Sequence, residues 1–134
     1  MKKVILFVLA FFIVVGSVGA SQAAPNLVGT WAGTIDVMCS SVETGTITMV
    51  VDYQEGNFFR GYSSANFGGA VEEMAFTGAI SGSKVSINFF VLGDQDGTSV
   101  ALFDTTVSSS KLKGSFRDSS GCSGLIAVKK QKVP

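Results

Sequence analysis

No histidine occurs anywhere in the chain. The commonest general base and metal ligand near neutral pH is therefore missing. Serines are numerous, but none lies in a nucleophile motif. The adjacent acids Glu72 and Glu73 would point to opposite faces of a strand and cannot work as a pair. Asp94-Gln95-Asp96-Gly97 has the beginning of a calcium loop without its further ligands or its distant glutamate, and reads as a hairpin turn. With no set of catalytic parts assembled, the expectation is a non-enzyme with no cofactor and no metal.

Charge of either sign is also sparse. Ten basic residues balance ten acidic ones over 134 positions. Only Lys129-Lys130-Gln131-Lys132 is locally basic, and it reads as a solvated chain end. Nucleic acid needs clustered Lys and Arg and is not an expected partner. No stretch of ten residues after the N-terminal segment has helical period.

The N-terminal segment is of a different kind. Lys2 and Lys3 precede an unbroken apolar run from Val4 to Val15, and small residues follow, ending in Ser21-Gln22-Ala23. This is the pattern of a secretory signal peptide cleaved after Ala23. The run is shorter than the roughly 20 residues a membrane span takes. Residues 1–23 are thus expected to be removed, leaving 24–134 as one exported domain, periplasmic or extracellular, with no membrane partner. Loss of Lys2 and Lys3 leaves eight basic residues against ten acidic.

Within 24–134, short strand patterns alternate with turn signals. The first spans Leu27 to Val37 and holds the only tryptophan, Trp31. The others are Thr44 to Tyr53, Phe58 to Asn66, Ala70 to Ile80, Lys84 to Leu92, Thr98 to Val107, Lys111 to Arg117 and Cys122 to Lys130. Ile47, Met49, Val51 and Tyr53 share one face by period two, as do Val85, Ile87, Phe89 and Val91. Such regular spacing predicts an antiparallel meander. Glycine recurs inside the strands, at Phe59-Arg60-Gly61, Phe76-Thr77-Gly78 and Leu112-Lys113-Gly114. Each costs about 0.5–1 kcal/mol relative to alanine. A strongly coiled, closed sheet requires such kinks more than an open sandwich does. The expected fold is therefore all-β, an eight-stranded antiparallel up-and-down barrel.

Gly29-Thr30-Trp31 at the start of the first strand, followed by eight strands with apolar-x-Gly repeats, resembles the calycin superfamily. That group includes lipocalins, fatty-acid-binding proteins, avidins and small bacterial metalloprotease inhibitors. The resemblance implies that Trp31 closes one end of the barrel under a basic residue of the last strand, Lys129 or Lys130. It does not extend to the avidin biotin site, which needs several tryptophans. Nor does it extend to the fatty-acid carboxylate site, because Arg117 is followed by Asp118 and Ser119 rather than by the Arg-x-Tyr pattern. It implies either an exported binder of a small apolar ligand or a protein-binding barrel such as a protease inhibitor.

The ligand-lining residues expected on this basis are Trp31, Tyr53, Phe59, Tyr62 and Phe103. They either surround a cavity or fill the interior, since an eight-stranded barrel is wide enough for one or the other. In Phe58-Phe59 and Phe89-Phe90 one ring of each pair must face outward, unless a bulge intervenes. An outward ring marks either a partner surface or cover by a loop. Cys39 and Cys122 are expected to pair, given export to an oxidising compartment. The topology supports this: the end of strand one and the start of strand eight meet at one rim if the sheet closes. In an open sheet they would lie about 30 Å apart.

Overall fold

A computed structural model describes residues 23–93 and 99–133. The expected leader, apart from Ala23, and the Asp94-Gln95-Asp96-Gly97 turn lie outside the described residues.

The strands are β1 (Gly29–Met38), β2 (Val42–Glu55), β3 (Phe58–Phe67), β4 (Ala70–Ser81), β5 (Lys84–Val91), β6 (Val100–Ser108), β7 (Lys111–Asp118) and β8 (Ser123–Lys130). Each pairs with the next, and β1 pairs with β8 from Trp31↔Lys130 to Met38↔Ser123, closing the barrel. Every ladder is antiparallel. Closure leaves no unpaired edge strand.

Alternation places one row of each strand inside. Val85, Ile87 and Phe89 of β5 are fully buried, while Ser86, Asn88 and Phe90 face out. The outer wall is mostly Thr, Ser, Asp, Asn and Lys, and the buried lumen is apolar except for Ser63 and Thr105. Five phenylalanines from five successive strands meet there: Phe59–Phe76, Phe76–Phe89, Phe89–Phe103 and Phe103–Phe116 have ring centroids 6.2, 5.1, 4.3 and 4.6 Å apart. Each such pair adds about 0.5–1.5 kcal/mol beyond its buried area.

The in-strand glycines make room for these rings. Phe59 lies opposite Gly78, Phe76 opposite Gly61, and Phe116 opposite Gly124. A Cβ on Gly61 would come within 1.9 Å of the Val50 carbonyl oxygen and 2.5 Å of the Phe76 ring. The apolar-x-Gly repeat is thus a packing device as well as a kink.

The Cys39–Cys122 disulfide is formed, with Cα atoms 4.7 Å apart, and it staples the β1–β8 seam at one rim. At the opposite rim the residues before β1 fold across the opening. Leu27 is buried, its N–H donates to Gln54 Oε1 (2.8 Å), and Gln54 Nε2 donates to the Pro25 carbonyl (2.9 Å).

Candidate functional site

The two ends of the lumen differ. At the N-terminal end Trp31 is buried, and its indole N–H donates to the Leu27 carbonyl at 2.9 Å. Lys130 places its ammonium 5.9 Å from the Trp31 ring centre and donates to the Asn26 carbonyl at 3.0 Å. Of the two lysines the sequence offered, Lys130 takes this position: it lies on the inward row with Val128, and Lys129 points out. Trp31 therefore plugs the closed end and does not border the cavity at the other end.

The disulfide end opens into a cavity of about 530 Å³. Its walls include Ile35, Ala65, Met74, Ala101, Phe103 and Phe116. Ala65 and Ala101 stand where larger inward residues would fill the space, and the last rings of the phenylalanine series form part of the base. Glu43 and Glu72 also line it. They lie on inward rows, opposite Val37 and Ala65 respectively. Glu73 faces the outside, where its carboxylate accepts a hydrogen bond from Ser64 Oγ (3.4 Å). Asp118 shapes the rim, its Oδ1 accepting from Ser120 N, Ser120 Oγ and Cys122 N at 3.0, 2.7 and 2.9 Å. This ties the β7–β8 turn beside the disulfide as an Asx turn does.

Of the five residues expected to line a ligand site, Phe103 alone borders this cavity. Phe59 is buried in the phenylalanine series nearer the closed end. Tyr53 and Tyr62 are corrections. Both lie on the outer wall, 49% and 54% exposed. Tyr62 falls between the inward Gly61 and Ser63. Tyr53 would have continued the inward row of Ile47, Met49 and Val51, but the register shifts between Val51 and Tyr53. The extra residue, Asp52, reverses the alternation, as a bulge does. Outside, Tyr53 donates its hydroxyl to Glu55 Oε2 (3.0 Å) and lies under the Arg60 guanidinium, 5.1 Å from the ring centre. The Glu55 carboxylate, by hydrogen bond first and then by charge, raises the phenol's pKa above the ordinary tyrosine value.

The residues that sequence reasoning missed are Ala65, Met74, Ala101 and Phe116. Their inward phase was readable from alternation, but which level of the lumen stays open was not. The arrangement suits enclosure of an apolar body with a polar end towards the carboxylates at the mouth. Among the described residues, no three His, Cys, Asp or Glu side chains are grouped to hold a metal.

No family model matches the sequence, and no curated protein matches it. Among solved structures the fold is similar to that of a redesigned β-barrel, with a TM-score of 0.65 and 13% identity, over 79% of this chain and 92% of that one. The similarity shows the fold, an eight-stranded antiparallel barrel.

Proposed function

We propose that this protein is an exported, lipocalin-like binder of a small apolar molecule, held in the cavity at the disulfide end, and that it carries no enzymatic activity. The observation that carries this reading is the asymmetry of the lumen. One end is plugged by Trp31 and filled by phenylalanines, while the other keeps an open, apolar-walled space of about 530 Å³. That volume falls in the range of small-molecule sites. The Cys39–Cys122 bridge supports export, because such bonds persist in oxidising compartments.

The test is direct. Purified protein is extracted with organic solvent and the extract analysed by mass spectrometry, and a fluorescent apolar probe is titrated into the stripped protein. Ala101→Trp, which fills the cavity from a position already inside it, should abolish probe uptake while leaving the far-UV circular dichroism unchanged. Equal uptake by the two proteins would refute the site.

A second reading, a protein-binding barrel such as a protease inhibitor, is favoured by one observation. Val50, Tyr62, Ala75, Phe90 and Val100 are successive cross-strand partners on the outer wall. They form an apolar row over five strands, of the kind that marks partner surfaces. The N-terminal segment that such inhibitors insert is here tied across the closed end, so a partner would meet the wall instead.

A further inference from the structure

The lysines that look scattered in the sequence are gathered by the fold. Lys84 on β5 lies opposite Thr106 on β6, and Thr106 lies opposite Lys113 on β7. Lys111 on β7 lies directly opposite Lys129 on β8. All four side chains point outward and are exposed, because their neighbours Val85, Leu112 and Val128 point in. Lys111 and Lys113 are two residues apart on one strand, about 7 Å, and neighbouring strands are about 4.8 Å apart.

Directly opposed like charges destabilise a sheet, yet none of these four ammonium groups has an ion-pair partner; among the described residues the ion pair is Arg60–Asp52, on the far side of the barrel. Two outward acids lie towards the mouth: Asp104, two residues from Thr106 and opposite Ser86 and Ser115, and Asp36 on β1, which with Asp104 and Lys113 lines a shallow surface hollow. Beside the strip a groove of about 610 Å³ runs past Ser110, Lys129, Gln131 and Lys132, adding hydroxyl and amide groups to the charge.

We infer that this strip, Lys84–Lys113–Lys111–Lys129, is a binding surface for a flexible linear polyanion that carries no bases. Charge complementarity selects an anion. The shape of the wall selects a chain over a membrane: β5 and β8 are three strand steps apart in a closed ring of eight, so their outward side chains diverge and no plane meets Lys84 and Lys129 together, whereas a flexible chain can follow the curve. The absence of stacking platforms selects against nucleic acid. The outward neighbours in the strip are Ser86, Thr106, Ser108 and Ala127, with no aromatic ring among them, and single-stranded nucleic acid is held largely by base–aromatic stacking.

Inorganic polyphosphate labelled with a fluorophore is the probe, and its anisotropy is followed across a salt series with the intact protein. Four released counterions on a flexible chain predict a slope of log K against log salt of about −3, or roughly a 50-fold loss of affinity between about 50 and 200 mM salt. Lys111→Gln with Lys129→Gln should halve that slope, and adding Lys84→Gln and Lys113→Gln should remove binding. Circular dichroism would establish that each variant is folded. Glu43→Gln with Glu72→Gln, at the other end, should leave polyphosphate affinity unchanged. Three results would overturn the inference: no binding at low salt, binding unaltered in the folded quadruple variant, or preferential binding at these lysines of phosphatidylglycerol vesicles or single-stranded DNA at equal anionic charge.

Discussion

Truncating Trp31 tests the closed end of the barrel most severely. The side chain is 2% exposed. A large aromatic buries up to about 250 Å², worth about 6 kcal/mol by area, which is an upper bound because the unfolded chain already buries part of it. Aromatic-to-alanine changes in cores cost about 3–5 kcal/mol. Here the Nε1–H bond to the Leu27 carbonyl and the Lys130 ammonium over the ring are lost as well, so Trp31→Ala should lie near the top of that range, about 4–5 kcal/mol. A domain of this size has about 5–15 kcal/mol in total, so the variant should be barely folded. Trp31→Phe separates the contributions: it keeps most of the packing and loses the indole donor, for about 1–2 kcal/mol. Urea unfolding followed by far-UV circular dichroism is the assay, since the only tryptophan fluorophore is removed. A double-mutant cycle with Lys130→Met should show coupling of about 0.5–1 kcal/mol between the ammonium and the ring. A loss under about 1 kcal/mol for Trp31→Ala would refute the plug.

Four further outcomes are expected. Replacing Cys39 and Cys122 together by Ser opens a link spanning 83 residues, and should cost up to about 4.5 kcal/mol in the chain-entropy model, measured by the shift in urea midpoint; an unchanged midpoint would show that β1–β8 pairing already limits the unfolded chain. Gly61→Ala forces a methyl group against the Val50 carbonyl and the Phe76 ring and should cost about 1–3 kcal/mol by overpacking; a neutral result in thermal unfolding would mean that the β2 backbone and the ring both give way freely. Ser63→Ala removes a buried hydroxyl that has no hydrogen-bond partner among the described residues and should raise stability by about 1 kcal/mol or more, where a fall would show that the hydroxyl is satisfied. Glu55→Gln removes the charge that holds the Tyr53 proton in place. The phenol should then ionise at lower pH than in the unaltered protein, and an unmoved tyrosinate absorbance curve would refute the Tyr53–Glu55 contact.

Much of the site failed to be legible for reasons that can be named. Phe59 and Tyr62 are three apart on one strand and cannot share a face without a bulge, so alternation alone already placed Tyr62 opposite to Phe59. Tyr53 was different. Its period-two phase with Val51 was sound, and the register shift at Asp52 broke it. Nothing in Val51-Asp52-Tyr53-Gln54 announces a bulge, because the extra residue is demanded by pairing with β3 rather than by local preference.

By itself the sequence determined the eight strands, the inward phase of most of them, and that one ring of each of the pairs Phe58-Phe59 and Phe89-Phe90 faces outward. Strand period, turn residues and in-strand glycines are local properties, written within a few neighbouring positions. Only the tertiary structure decided which inward residues share a level of the lumen, that the open level falls between Ala65 and Ala101, and that Lys130 rather than Lys129 covers Trp31. It alone brought Lys84 into one strip with Lys111, Lys113 and Lys129. Those meetings depend on closure and on the stagger of eight ladders, which join residues from strands far apart in the chain and leave no trace in any short window of it.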